Sequence, residues 1–371
     1  MIPYSLIGIA FLFSAVCGFI FIPAILNFCK EKGLYDLPDE RKIHKSGIPR
    51  LGGLSFLPSM LIAFLATTLT YNRFTGVSEV TFSLWSLYFF ISLILIYGIG
   101  LVDDLVGLGA KVKFIIQIIA ASLLPLSGLY LNNLYGFLGI YEIPYSIGAP
   151  LTVFIIVFVN NAINLIDGID GLASGLSFIS LSGFLICFMQ ETMPLYVILI
   201  AGLLGVLVPF MYFNLFDDPK KKRKIFMGDS GSLTLGFILG FLAIKYSMDN
   251  PNVKFWNPDC LLLSYTFLIV PSFDVVRVSL VRMRHRVSIF NADKNHIHHK
   301  LMRCDLSQHQ ALMCILGLAV FYIVLNLTLN LILSTTSIVV IDILVWLGFD
   351  QLINLGIRRN GQPIYLEREK A

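Results

Sequence analysis

The sequence predicts an all-α integral membrane protein of about eleven transmembrane helices, and three observations carry that prediction. Hydrophobic residues make up 57% of the 371-residue chain and charged residues only 13%, against roughly 25% charged in an ordinary soluble protein. The apolar residues gather into stretches long enough for a bilayer, which takes about 17–25 residues per helix. Between those stretches, the basic residues fall almost entirely on every second connection, the asymmetry that membrane insertion imposes.

Taken in order, the expected spans lie near 4–28, 51–71, 82–102, 114–131, 147–163, 171–189, 195–213, 231–248, 259–280, 310–331 and 337–356. The first lacks a basic leader and a small-residue cleavage site, so it reads as a retained helix and not as a signal peptide. Pro125, Gly128 and Pro150 interrupt the fourth and fifth, yet both are kept because an even number of spans would scramble the charge asymmetry. With eleven spans, 24 of the 27 Lys and Arg residues fall on one side, leaving Arg73, Lys245 and Lys254. The expected orientation has the N-terminus outside and the C-terminus cytoplasmic. Segment 132–148, with Asn132, Asn133, Gly136, Gly139 and Pro144 among aromatics, suits a short outer hairpin. Spans consume nearly all of 1–371, which reads as a single polytopic domain. The six cysteines form no close pair and read as packing residues. There is no internal repeat, against many transporter folds.

Five acidic residues end up on the cytoplasmic side of this arrangement, each at the end of a span. Asp103 and Asp104 follow the third. Asp167 and Asp170 lie in Asn164-x-x-Asp167-Gly168-x-Asp170-Gly171, between the fifth and sixth. Asp229 opens the eighth in Met227-Gly228-Asp229-Ser230-Gly231-Ser232. A carboxylate within a bilayer costs about 2.5–3.5 kcal/mol on insertion scales, so such residues line a wet cavity or a site. Asn164, Asp167 and Asp170 recur at a spacing of three and would share one helical face. Each place could instead be a helix end capped by Asp and broken by Gly. Three acidic, Gly-flanked ends on one side favour a site.

Clustered carboxylates suit a hard cation, Mg²⁺ or alternatively Mn²⁺, whose shell is completed by substrate phosphate. Lys45, Lys111, Lys113 and the run Lys220-Lys221-Lys222-Arg223-Lys224 lie on the same side, although such a run more often fixes topology and attracts anionic lipid. The last inner feature is His296-Ile297-His298-His299. His296 and His299 could face one zinc ion on a helix, but no Cys or His-x₃-His accompanies them. Binding of a diphosphate, and of the charge that develops as it is broken, fits better.

Asp103-Asp104, the Asn164 to Gly171 block, Phe226 to Ser232 and His296 to His299, in this order, resemble the polyprenyl-phosphate N-acetylhexosamine-1-phosphate transferase superfamily, glycosyltransferase family 4. Residues Asp36 to Gly53 are similar to its first inner loop, so the resemblance covers about 30–300. Within the superfamily, the His-Ile-His-His form resembles the bacterial undecaprenyl-phosphate N-acetylglucosamine-1-phosphate transferases. The phospho-N-acetylmuramoyl-pentapeptide transferases more often show three consecutive histidines.

The resemblance implies a multi-pass protein of the bacterial inner membrane with its site on the cytoplasmic face. Its substrates would be a polyprenyl phosphate lipid and a UDP-N-acetylhexosamine, with no nucleic-acid partner. Asp229 would hold Mg²⁺, with Asp167 as second ligand. Asp103 and Asp104 would take a proton from the lipid phosphate or orient it. Asn164 and Asp170 would recognise the nucleotide, Lys45, Lys111 and Lys113 the phosphates, and His296, His298 and His299 the diphosphate or sugar. Asn214 stands at the place of a family asparagine, in a departed context. The identity of the hexosamine, a direct or covalent route, and a symmetric homodimer stay open. A cation-coupled transporter would carry its acids near mid-span on broken helices, and an enzyme using a CDP-linked donor would keep them in one compact repeated motif; neither pattern is present.

Overall fold

The structure, a computed structural model, describes residues 4–36, 47–75, 84–216, 223–250, 257–288 and 294–366. Their elements run α1 (Tyr4–Lys32), β1 (Tyr35–Asp36), β2 (Ile48–Pro49), a 3₁₀ turn (Gly52–Ser55) that leads into α2 (Phe56–Thr75), α3 (Leu84–Val106), α4 (Ala110–Leu126), β3 (Asn133–Phe137), β4 (Ile140–Glu142), α5 (Tyr145–Ile166), α6 (Leu172–Gln190) and α7 (Pro194–Leu215). They continue with α8 (Gly228–Ser247), α9 (Cys260–Phe267), α10 (Ile269–Arg284), the short α11 (Ile297–Arg303), α12 (Gln308–Leu329) and α13 (Thr335–Arg359). The expected hairpin near 132–148 is β3 paired antiparallel with β4. A second small ribbon pairs Tyr35 with Pro49 and Asp36 with Ile48.

Every expected span has a helix, with two corrections of detail. Nine helices among the described residues are long and apolar enough to cross a membrane, and α9 with α10, bent by 66° at their junction, counts as a tenth when the pair is taken as one span. The bend has a chemical cause. Pro271, in the first turn of α10, has no N–H to give the carbonyl of Phe267, so the helical ladder opens there. Ser180 of α6 donates its hydroxyl to that carbonyl at 2.6 Å, which keeps it satisfied in an apolar setting. The other correction is α4, which ends at Leu126 and not near 131. Its 17 residues rise about 25 Å, short of a hydrocarbon core of about 30 Å, and Gly128 at φ +86° turns the chain away.

Helix α8 is the axis of the bundle. Every residue from Ser230 to Ser247 is buried, and α3, α5, α6 and α9 pack around it. In a membrane, helices associate where small residues let backbones approach. Gly53 of the 3₁₀ turn lies directly against Gly231, Gly100 of α3 against the Asp229 carbonyl and Ser230 Cα, and Gly236 against Asn160 of α5; a β-carbon on any of the three would collide. The outermost helices instead present exposed apolar side chains, such as Leu12, Val16 and Ile20 on α1 and Leu344, Leu347 and Leu352 on α13, as lipid-facing surfaces should.

Candidate active site

The helix ends that carry the acidic motifs meet around one cavity of about 420 Å³, a volume typical of small-molecule sites. Asp103, Asp104, Asn164, Asp167, Asp170, Asn214, Asp229 and His299 all reach its wall. Eight of the residues singled out from the sequence, drawn from five separate segments, are therefore brought together.

The N-terminus of α8 is held by a carboxylate from another helix. Asp104, on the last turn of α3 and nearly fully buried, accepts the backbone N–H groups of Asp229 at 2.8 Å and Ser230 at 2.9 Å. Those donors are orphans at a helix start, and a negative charge is favoured there. Gly228 makes the approach possible: its φ is +74°, and a β-carbon would strike the Arg50 carbonyl and the Asp104 carboxylate. Asp104 thus sets where the Asp229 side chain starts.

Asp103, its neighbour, accepts the Leu108 N–H and the Lys113 ammonium at 3.0 Å. Lys113 also reaches Asp229 Oδ2 at 2.6 Å, so one ammonium is gripped between two carboxylates. The other oxygen of Asp229 accepts from Asn164, at 3.1 Å, and Asn164 donates as well to Ser232 Oγ. Asp170 pairs with Lys224 at 2.6 Å, which brings one member of the basic run into the site.

Asp167 differs from the other four acids. Its carboxylate accepts no hydrogen bond among the described residues, and desolvation, followed by the nearby charges of Asp229, Asp170 and Asp104, pushes its pKa up to about 7. Such a group is ready to take a proton or a cation.

The histidines divide. His299 lines the cavity, and burial, reinforced by the neighbouring His296, Lys294 and Arg303, pushes its pKa down to about 4. Its ring is neutral at pH 7. His296 and His298 do not line the cavity. His296 Nδ1 binds Asp274 at 2.8 Å, and the other oxygen of Asp274 accepts the Ile297 N–H at 3.0 Å, capping α11. His298 is buried with both ring nitrogens unpartnered among the described residues, its burial holding its pKa well below the ordinary value, and its ring lies where a side chain on residue 168 would be. Gly168 is thereby explained as the seat of His298, joining α11 to the acidic loop.

Of the remaining expected residues, Asn214 is a tie: it accepts the Gly171 N–H at 2.7 Å and donates to the Ile225 carbonyl at 2.9 Å. Lys111 is exposed and off the cavity. Lys45 lies outside the described residues. Sequence reasoning passed over Arg50 and Ser232, which line the cavity, and Asp274, which lies inside an apolar stretch. An acid flanked by apolar residues in a span was the available signal for Asp274.

The donor set fits a hard divalent cation. Among the described residues no three His, Cys, Asp or Glu side chains converge closely enough to enclose an ion, but Mg²⁺ usually takes one or two carboxylates and leaves the rest to water and phosphate. Asp229 and the unpartnered Asp167 would be those ligands, and the Lys113 ammonium between Asp103 and Asp229 shows that this wall already holds positive charge.

Residues 86–247, which carry three of these motifs, match the family model described as glycosyl transferase family 4. The Bacillus subtilis (strain 168) protein named "Probable undecaprenyl-phosphate N-acetylglucosaminyl 1-phosphate transferase" is 30% identical over 355 residues, which span 92% of this chain and 87% of that protein. The chain belongs to glycosyl transferase family 4. Two further members of the family, from Escherichia coli (strain K12) and Yersinia pestis, are both named undecaprenyl-phosphate alpha-N-acetylglucosaminyl 1-phosphate transferase. They are 29% and 28% identical over 80% and 76% of this chain, and over 78% and 73% of their own lengths. The family-model match covers much of the bundle core and of the acidic wall of the cavity, while α11 and its histidines lie beyond it.

Proposed function

We propose that this chain transfers N-acetylglucosamine 1-phosphate from UDP-N-acetylglucosamine to undecaprenyl phosphate, releasing UMP, at the cytoplasmic face of a bacterial inner membrane. One observation carries the reading: five aspartates from three separate places in the chain, the end of α3, the α5–α6 connection and the start of α8, converge on a single cavity at one end of a membrane bundle. A water-borne donor and a lipid-tethered acceptor, both anionic, can meet at such a place. The names of the family members supply the lipid and the sugar.

In the reaction an oxygen of the lipid phosphate attacks the β-phosphorus of the donor, the P–O bond to UMP breaks, and the bond from the sugar to its phosphate is untouched. Anomeric configuration is therefore kept. Asp229 and Asp167 would hold Mg²⁺, which when bound neutralises the diphosphate and the charge passing to UMP. Asp104 fixes the Asp229 backbone, and Asp103 keeps Lys113 within reach of the phosphates. Arg50 and Lys224 add positive charge at the wall. The neutral ring of His299 donates or accepts a single hydrogen bond toward the diphosphate or sugar, and a bound anion would draw its pKa upward.

The test is UMP release from UDP-N-acetylglucosamine by purified protein with undecaprenyl phosphate and Mg²⁺. Lipid-dependent UMP that disappears with chelator and in Asp229→Ala is the expected result. Release from a different UDP-linked hexosamine alone would keep the chemistry and replace the sugar.

A further inference from the structure

The motif helix α11 has only seven residues, too few to be stable on its own, yet it places His299 on the cavity wall. Asp274 secures its first turn. Arg277 of α10 donates to the Asn295 carbonyl at 2.7 Å and lies 3.6 Å from Asp350, and α12 packs on α11; a further set of anchors comes from the C-terminal part of the chain, beyond every motif in the sequence. Asp350 of α13 forms an ion pair with Lys300 in the middle of α11 and accepts from Asn354 at 3.0 Å. Past the end of α13, the carbonyl of Pro363 accepts from Arg303, the last residue of α11, at 2.9 Å. Asn295, just before α11, exchanges two hydrogen bonds with the backbone of Leu366, at 3.2 and 3.0 Å. The ring of Tyr365 stacks on His285 with centroids 3.9 Å apart.

These contacts bracket α11 at its start, middle and end. Lys300 is almost fully buried, and desolvation together with the neighbouring Arg277 lowers its pKa, so without Asp350 its charge would be stranded. Backbone-directed bonds at Asn295 and Arg303 constrain where the helix lies along its own axis, which the ion pair alone does not.

We infer that the C-terminal arm, from Asp350 to Leu366, is a working part of the transferase: it positions α11, and through it His299, against the bound donor. Asp350 is a positioning residue and touches no substrate. The inference rests on the transferase reading, because the wall it braces is the wall of that cavity.

A double-mutant cycle in the full chain tests it. Asp350→Asn breaks the charge pair, and Leu366→Pro removes the N–H given to Asn295; each is made alone and with His299→Ala. Turnover with UDP-N-acetylglucosamine and affinity for UDP are both measured, so an inactive His299→Ala protein still yields a coupling. Either arm variant is expected to lower turnover by roughly tenfold to a hundredfold, the range of a small misplacement, to leave the KM for lipid phosphate unchanged, and to cost little more once His299 is already Ala. Asp350→Glu should restore most of the loss. An equal factor in both backgrounds, or arm variants as active as the parent, would overturn the inference. A parent chain that releases no UMP would instead remove the transferase reading, and this inference with it.

Discussion

Asp167 is where a single residue's surroundings make the sharpest prediction. Its spacing from Asn164 and Asp170 was legible in the sequence, and so was its membership of a polar site. What the spacing could not reveal is that the other four acids are each engaged by Lys113, Lys224 or backbone N–H groups while Asp167 has no partner among the described residues. An ordinary aspartate titrates near 3.8, whereas Asp167 in the folded chain is pushed up to about 7. Between those values the unfolded chain gives up the proton and the folded chain keeps it, so the folded state loses stability as pH rises, and the loss is complete above pH 7. Asp167→Asn cannot ionise. In metal-free protein it should melt higher than the parent at pH 8, by a smaller margin at pH 5, and with almost no difference at pH 4. Added Mg²⁺ at pH 8 should then raise the parent and leave the variant unmoved. A margin that stays flat with pH would mean that Asp167 is ionised at no cost. Gly168 carries the same lesson: its place beside Asp167 was visible, but its reason, the His298 ring packed on it, needed α11 in place.

At the level of elements, apolar length identified the spans because each must hide its backbone from lipid. Their ends were less legible. The proline at 271 was visible, but its effect depends on Ser180 of another helix taking the freed carbonyl. Similarly, Asp104 reads in sequence as one of two adjacent candidates for handling the lipid phosphate, and the structure shows it capping α8. Replacing it with Ala leaves two N–H groups unsatisfied at a buried helix start and should cost about 1–3 kcal/mol, along with turnover, because the backbone of Asp229 moves. Asp104→Asn keeps one acceptor and should fall between parent and Ala in both melting temperature and UMP release. If Asn instead melts like the parent and is as inactive as Ala, the carboxylate acts on substrate directly and the cap is incidental.

Across the whole molecule, most of the long helices reach the cavity at alternate ends. α1 ends toward it through Asp36 and α2 begins from it after Arg50; α3, α5 and α7 end there, and α6, α8 and α12 begin there. Lys113 on the first turns of α4 joins them, as does the end of α13 through its bonds to α11. Nine helices and the bent pair are long enough to cross; the eleven crossings expected from the sequence, which need α4 as well, would put the two termini on opposite sides, the parity that the distribution of Lys and Arg demands. The β3–β4 hairpin, which follows α4, then falls on the side away from the cavity. This can be tested with cysteines placed at the exposed Leu138 and Arg359, because none of the six native cysteines is exposed. In intact cells a membrane-impermeant maleimide should label Leu138→Cys and leave Arg359→Cys unlabelled until the membrane is opened. The reverse pattern would put the acidic cavity outside, away from cytoplasmic UDP-sugar and against the positive-inside rule, and the proposed donor would have to be abandoned. Labelling of both sites in intact cells would break the alternation itself, leaving α4, the shortest of the crossing helices at 17 residues, as the one that does not cross.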